Sequence, residues 1–218
     1  MPRRARGLQE GDYYHVLNRG SVRARIFHKP SDYTAFVGLL DETVRRFDLP
    51  LVSYCVMPNH WHLVVQPVSL DQLSTSIHWL TCTHAIRWCR AHERAGPGPL
   101  YQGRFKSIPV QPDIHLVRVC RYVERNALSA KLVNRAEDWP WSSVNQRFEN
   151  RPSPALAQLQ FLMAADWVRT VNKYTVDVPV AKAIRKDRPF GSDQWTRERL
   201  KRMGLGESGE RGRPKGKK

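Results

Sequence analysis

The sequence predicts an α+β fold, and three observations predict it. Apolar residues follow strand and helix periods in the order β-α-β-β-α-β, with a further helix behind. Two of the strands are separated only by the tight connection Pro58-Asn59, which reads as a hairpin. Beyond about residue 150 the strand signals stop, and Pro, Gly and charge take over. The order is that of a ferredoxin-like, RRM-like antiparallel sheet with helices on one face, extended by a C-terminal helical segment and a basic tail. The other sheet face is expected to stay open for a ligand.

Element by element, Tyr13-Tyr14-His15-Val16-Leu17-Asn18-Arg19-Gly20 reads as a first strand ending in a turn. Ser31-Asp32-Tyr33 starts a helix, and Phe36, Leu39, Leu40, Val44 and Phe47 hold its period to about Asp48. Leu51–Met57 and His60–Gln66 are the hairpin strands. Leu70 to about Ala95 carries a long helical pattern that Gly96-Pro97-Gly98-Pro99 breaks. Gln102 to Val110 is a fourth strand, with Arg104 and Lys106 on one face. Pro112-Asp113 opens a helix running to about Ser129. After Trp139-Pro140-Trp141-Ser142-Ser143, Pro152 to Pro154 is a linker and Ala155 to about Asn172 reads as a helix. The expected organisation is a main domain over residues 1–150, a helical extension over 151–203 and a disordered basic tail over 204–218.

Composition narrows the function. Lys and Arg number 36 against 20 Asp and Glu, giving a net charge of +16 in 218 residues. That excess favours a polyanionic partner, most often nucleic acid, whose phosphates release counterions on being neutralised. No basic amphipathic helix with a clean apolar face argues for a membrane surface instead. The apolar runs are too short to span a bilayer and Met1-Pro2-Arg3-Arg4-Ala5-Arg6 precedes no signal-peptide core, so a cytoplasmic protein with no membrane partner is expected. Cys55, Cys82, Cys89 and Cys120 form no C-x-x-C pair and sit among apolar neighbours, which reads as buried, reduced thiols.

The candidate chemistry lies in two segments. In Met57-Pro58-Asn59-His60-Trp61-His62, residues 60 and 62 of an extended strand share a face, so two imidazoles converge while Trp61 turns to the core. On the helix from Asp113, His115, Arg118, Tyr122 and Asn126 fall three, four and four apart and make one polar stripe beside the apolar stripe Leu116, Val119, Val123 and Ala127. His60 and His62 with an amide oxygen from Asn126 leave positions open for phosphate and water, which suits Mg²⁺ or Mn²⁺. Tyr122 is then a candidate nucleophile toward phosphorus. Asn126 is either the third ligand or a helix cap, and His115 either orients substrate or is solvated. Arg19, Arg23, Arg25, Arg104 and Lys106 are candidate phosphate contacts or a solvated basic face. Trp79, Trp88, Trp139 and Trp141 either stack on unpaired bases or fill the core. Arg211-Gly212-Arg213-Pro214-Lys215 is either a minor-groove element or a tail for phosphates in general.

At these residues the chain resembles a known family. His60-Trp61-His62 is similar to the His-hydrophobic-His signature of single-tyrosine HUH endonucleases, and Arg121-Tyr122-Val123-Glu124-Arg125-Asn126 to their Tyr-x-x-x-Asn helix. More narrowly, the chain resembles the REP-associated tyrosine transposases. The segments that carry this are His15–Gly20, Gln102–Ser107, Trp139–Ser143 and Arg188-Pro189-Phe190-Gly191-Ser192, within residues 11–203. Ala127 departs from the proline common in the family.

The resemblance implies metal-dependent cleavage and rejoining of single-stranded DNA at hairpin-forming repeats. It also implies a 5′-phosphotyrosine at Tyr122 and a free 3′-hydroxyl. His60, His62 and Asn126 would be the ligands of Mg²⁺ or Mn²⁺, and Asn18, Arg19, Arg23, Arg25, Arg104, Lys106 and Arg118 the DNA contacts. It implies a monomer rather than a dimer, in a bacterial, nucleoid-associated setting. The competing reading is a single-stranded DNA- or RNA-binding module on the same fold without chemistry; a water-using metal hydrolase would leave Tyr122 dispensable.

Overall fold

The computed structural model describes residues 12–93, 98–173 and 177–205. Strands β1 (Tyr13–Arg19), β2 (Leu51–Met57), β3 (His60–Val65) and β4 (Lys106–Val110) form one antiparallel sheet in the order β2-β3-β1-β4. Helices α1 (Pro30–Phe47) and α2 (Leu70–Ala91) are the crossovers, which completes the expected βαββαβ arrangement. Asp32 starts α1 by accepting the His28 and Lys29 N–H groups at 2.8 and 3.2 Å, and Pro30 presets its first turn. Ser69 caps α2 through the Gln72 N–H at 3.1 Å.

These two helices cover the sheet face that carries Trp61. The Phe36 ring lies 5.8 Å from Trp61, whose Nε1 donates to the Tyr101 hydroxyl at 3.0 Å; that hydroxyl donates to His84 Nδ1 at 2.6 Å. The other tryptophans are committed within the fold as well. Trp88 donates to the Ile26 carbonyl, Trp139 donates to the Val56 carbonyl, Trp141 stacks on Tyr33 at 4.1 Å, and Trp79 packs against Phe47. Among the described residues, no helix is long and apolar enough to cross a membrane.

The opposite face is not open. Helix α3 (Ile114–Glu124) and the short α4 (Asn126–Ser129) lie across it, burying Leu116, Val119, Cys120, Val123 and Ala127. β2 is accordingly buried along its whole length. The single helix expected over 113–129 breaks at Arg125. There the Asn126 side-chain amide donates to the Tyr122 carbonyl at 2.9 Å, and side-chain bonds of this kind compete with the helix ladder.

Other expectations also change. The fourth strand starts at Lys106 rather than Gln102, because Asn18 Nδ2 holds the Gly103 carbonyl at 3.3 Å and draws residues 102–104 into bends. Arg104 is therefore off the strand. Residues 155–172 are not one helix: after Pro152 and Pro154 the Ala157 N–H donates to the Leu51 carbonyl at 2.7 Å, and only α6 (Trp167–Asn172) is α-helical. All four cysteines are free, but only Cys55 and Cys120 are buried; Cys89 is half-buried and Cys82 exposed. The Met1–Arg6 segment, the Gly96-Pro97 breaker and the tail with its Arg211–Lys215 element lie outside the described residues.

The C-terminal segment adds α7 (Val178–Lys186) and α8 (Asp193–Arg202) and docks on the β4 edge. Phe190 donates to the Pro109 carbonyl and accepts from the Gln111 N–H, at 2.9 and 3.0 Å. A Cβ on Gly191 would lie 2.5 Å from the Trp195 ring, so this approach requires glycine. A buried Arg199–Asp12 ion pair ties α8 to the residue before β1.

What fixes α3 across the sheet is Glu124, whose side chain is fully buried. Its carboxylate accepts Ser53 Oγ at 3.0 Å, Ser143 Oγ at 2.6 Å and Trp167 Nε1 at 2.7 Å, and it pairs with Arg147 of α5 (Ser143–Phe148). A buried carboxylate left without partners is costly, and this one has four. Glu124→Ala strands Arg147 and three smaller donors at once. Chemical denaturation is expected to show a loss of about 3 kcal/mol, with less for Glu124→Gln, which keeps an acceptor. Equal stability of Glu124→Ala and the parent would refute the anchoring role.

Burial lowers the His84 pKa to about 3, so the folded protein refuses a proton that the unfolded chain takes up near 6.5. Stability is therefore intact above pH 6.5 and falls as the pH drops toward 3, by on the order of 1 kcal/mol per pH unit for this group. His84→Asn is expected to flatten that acid limb in denaturation curves recorded across the range.

Candidate active site

The hairpin turn and the end of β1 build the imidazole pair. Register places Arg19 opposite His60 and Leu17 opposite His62, so Arg19, His60 and His62 share the α3 side of the sheet. The turn after Arg19 is locked to the hairpin turn. The Gly20 N–H donates to the Asn59 carbonyl at 2.8 Å, and a Cβ on Gly20 would sit 2.4 Å from the Ala24 carbonyl oxygen.

This lock sets the proton on His60. Asn59 Nδ2 donates to the Arg23 carbonyl at 3.1 Å, which turns Asn59 Oδ1 toward His60 Nδ1, 2.6 Å away. An amide oxygen only accepts, so His60 carries its hydrogen on Nδ1 and its lone pair on Nε2. His62 Nδ1 lies 2.8 Å from Nε2 of His15, a β1 residue that is 1% exposed. For His62 also to offer Nε2, it must donate through Nδ1 to His15 Nε2, with the His15 hydrogen on its own Nδ1. The His60 and His62 rings stand nearly perpendicular with centroids 4.8 Å apart.

Burial lowers the pKa of all three imidazoles. His15 falls to about 3, with His60 adding to the effect, and His60 falls to about 4, with Arg19 adding. His62 falls well below the usual histidine range, with His60, His15 and Arg19 contributing. All are therefore neutral at pH 7, the state in which imidazole binds metal.

Tyr122 closes the site from α3. Its ring meets His62 edge-on at 6.0 Å and His15 at 6.2 Å, both in its own chain. It is half-buried rather than on a solvated polar face, because α3 is held between the sheet on one side and α6 and α7 on the other. Burial raises its pKa; the Arg19 charge opposes that rise and Asp177 adds to it. Arg19 Nε is buried with no hydrogen-bond partner among the described residues.

The remaining candidates are spread around this centre. Asn126 uses its amide nitrogen on the Tyr122 and Val123 carbonyls, which leaves Oδ1 without a partner among the described residues. His115 binds Asp113 at 2.7 Å and meets the Phe190 ring. Arg118 is engaged by Asp177 at 2.7 Å. Asn18 is buried, accepting the Arg19 N–H and donating to the Gly103 carbonyl. Lys106 Nζ reaches the Ile184 carbonyl at 3.3 Å. Arg23, Arg25 and Arg104 are exposed.

The donor set fits a divalent ion. His60 presents Nε2, His62 presents Nε2 when its Nδ1 donates to His15, and Asn126 Oδ1 has no partner among the described residues. Among the described residues no group of three His, Cys, Asp or Glu could hold a metal. Sequence reasoning missed His15 and Asn59. The signal for His15 was parity, since residues 15, 17 and 19 share one strand face; for Asn59 it was adjacency to His60 in the turn.

A family model described as IS200-like transposase matches residues 9–126, a span that includes both histidines, Tyr122 and Asn126. The fold is similar to that of a REP-associated tyrosine transposase solved bound to a REP hairpin, with TM-score 0.54 and 17% identity over 73% of this chain and 92% of that one. A second solved structure, of a protein from Deinococcus radiodurans assigned as a transposase, aligns with TM-score 0.41 and 19% identity over 57% of this chain and 96% of that one. No curated protein matches the sequence.

Removing the His15 acceptor frees the tautomer of His62 without touching a ligand. His15→Phe is expected to weaken Mn²⁺ binding about 10- to 100-fold by calorimetry, while His15→Gln, which still accepts, recovers part of it. Unchanged Mn²⁺ affinity in a folded His15→Phe protein would exclude the orienting role.

Proposed function

The chain belongs to the IS200-like transposase family, and from that premise we propose that it cleaves and rejoins single-stranded DNA through Tyr122, at repeats that form hairpins. The observation that carries this reading is the Tyr122 ring lying on the His15–His62 pair while Arg19, its Nε unpartnered, stands beside His60. A module that only binds DNA needs neither the paired neutral imidazoles nor a tyrosine laid against them. The hairpin as substrate rests on the fold shared with a transposase solved on one.

In the proposed reaction the Tyr122 Oη attacks the scissile phosphorus. The Oη–P bond forms as the bond from phosphorus to the 3′-oxygen breaks, and the phenol's proton ends on that oxygen as a free 3′-hydroxyl. The phosphotyrosine conserves the energy of the broken diester, so attack by a 3′-hydroxyl rejoins strands by the reverse step. Arg19 contributes charge to a phosphate entering the site and favours the phenolate of Tyr122. His60 and His62, with Asn126 Oδ1 as third donor, would hold Mg²⁺ or Mn²⁺, which when bound polarises the phosphate and offsets its developing charge. Arg23, Arg25 and Arg104, all exposed, and Lys106 are proposed to position the strand by its phosphates.

Action in cis by a monomer is part of the proposal, with Tyr122 set against His15 and His62 within the one chain. Residues 1–150 are read as the catalytic unit and 151–203 as an extension docked on it, with a cytoplasmic, nucleoid-associated setting.

The test is covalent trapping. Labelled hairpin DNA incubated with protein and Mn²⁺ is expected to give an adduct that survives a denaturing gel, and Tyr122→Phe is expected to abolish it. His60→Ala is expected to abolish the adduct while retaining most DNA affinity, since affinity rests on many phosphate contacts. An undiminished adduct with Tyr122→Phe overturns the mechanism.

A further inference from the structure

The sheet face opposite the imidazoles carries a second network, and it ends on the same two strands. Tyr101 is buried, and its backbone lies on the end of β1. The Gln102 N–H donates to the Arg19 carbonyl and the Ser21 N–H to the Leu100 carbonyl, each at 2.9 Å, so Tyr101 stands opposite Gly20. Gly20 in turn donates its N–H to the Asn59 carbonyl at 2.8 Å, and the Asn18 amide reaches the Gly103 carbonyl at 3.3 Å. Residues 100–103 are thus stitched along residues 18–21, on both sides of Arg19.

The Tyr101 side chain reaches the other strand. Its hydroxyl accepts Trp61 Nε1 at 3.0 Å, and an indole N–H only donates, which leaves the phenol hydrogen for His84 Nδ1 at 2.6 Å. Burial keeps His84 neutral, and a neutral imidazole has one nitrogen to accept with. The Phe36 and Phe27 rings pack on His84 at 4.9 and 5.3 Å. The Ile26 and Phe27 N–H groups both donate to the Pro58 carbonyl, at 2.9 and 3.1 Å, so this layer is tied to the hairpin turn as well.

Trp61 is fully buried and lies between His60 and His62 in β3. Successive side chains of a strand leave one backbone on opposite faces, so whatever fixes the Trp61 indole also fixes the pleat from which both imidazoles project. A phenylalanine at position 101 would fill the same space. What the hydroxyl adds is direction: two bonds that a rotated or shifted β3 would break, on a residue whose backbone is already held to β1. Tyr101 lies across the sheet from the imidazoles and can act on them only through these strands.

We propose that Tyr101 is a positioning residue for the histidine pair: its backbone and its hydroxyl clamp β1 to β3 from the far side of the sheet and thereby set Arg19, His60 and His62 relative to one another. The assignment rests on the reading of His60 and His62 as metal ligands and adds to it the residue that spaces them.

The test uses Tyr101→Phe, which keeps the ring and removes both bonds. Mn²⁺ affinity by calorimetry is expected to weaken about tenfold. The Cε1 resonances of His60 and His62 in proton–carbon spectra of the metal-free protein are expected to move. Affinity for hairpin DNA without metal is expected to match the parent, because it rests on phosphate contacts elsewhere. Trp61→Phe is expected to lose as much Mn²⁺ affinity, and the double variant no more than Trp61→Phe alone, since Tyr101 acts through the indole. His84→Leu, which leaves both rings in place and removes only the acceptor of the phenol hydrogen, is expected to give a smaller loss in the same direction. Thr43→Val removes a different buried hydrogen bond, from Thr43 Oγ1 to the Leu39 carbonyl inside α1, and is expected to lower stability without changing Mn²⁺ affinity.

A Tyr101→Phe protein that loses stability while its Mn²⁺ affinity and both resonances stay in place overturns the proposal. So does an equal Mn²⁺ loss in Thr43→Val, a matching fall in DNA affinity, or losses that add in the double variant. A parent protein that binds no Mn²⁺ and forms no adduct defeats the nuclease reading, while the imidazole resonances still test the clamp. A parent that forms the adduct, with Tyr101→Phe indistinguishable from it, defeats the clamp alone.

Discussion

The architecture of the site depends on one buried carboxylate. An antiparallel sheet with two crossover helices leaves one face uncovered, and the chain covers it with the helix that carries Tyr122. Apolar packing alone lets such a helix slide or rotate, because dispersion contacts are non-directional. Glu124 removes that freedom. Its oxygens are met by donors from β2, α5 and α6, and each donor has a direction. Rotating or shifting α3 would break several of these bonds at once and leave charge buried without partners, which costs far more than a slipped apolar contact. Tyr122, two residues before Glu124, is held over the imidazoles as a consequence.

The Trp139–Ser143 segment acquires its meaning from the same constraint. Ser143 Oγ reaches Glu124 and also accepts from the Tyr54 N–H, while Trp139 Nε1 and the Trp141 carbonyl bond the Val56 backbone. This clip runs along the edge of β2 and brings Arg147 into range of Glu124. It is distant from the chemistry in role but fixes where the chemistry happens. The Gly20 and Asn59 turns do the corresponding work for the histidines: they position two backbones, and the protons on His60 follow from which atoms those backbones leave facing its ring.

How much of this could be read in the sequence follows from which information is local. β2 and β3 begin and end where alternation and Pro58-Asn59 put them, because parity and turn chemistry are properties of adjacent residues. The pairing of His60 with His62 and the helical stripe of Tyr122 are equally local. The open face was misread because nothing in α3 itself says which surface it packs on; that is set by Ser53, Ser143, Trp167 and Arg147, as many as 71 residues away from Glu124. Arg118 is paired with Asp177, and a charge pair 59 residues apart leaves no trace in a charge count. Parity puts His15 on the face of Leu17 and Arg19, but a single histidine in an apolar strand also reads as core, and the register of β1 against β3 is what brings it to His62.

The electrostatics of the assembled site carry the argument one step further. Desolvation acts on both kinds of group here and drives each toward its uncharged form: the imidazoles lose their protons and the phenol keeps its own. Arg19 remains charged under the same conditions because a guanidinium cannot be neutralised by burial of this kind. The resting site is therefore neutral at every potential ligand and nucleophile and positive at one point. The unpartnered Nε of Arg19 at such a site suits an anionic group, and on the proposed reading a phosphodiester would meet it. Once an anion and a cation with free ligand positions occupy it, the same low dielectric that held Tyr122 protonated strengthens every interaction favouring its phenolate. On the proposed reading, burial, which residue by residue works against the Tyr122 phenolate, would make activation of the nucleophile conditional on substrate.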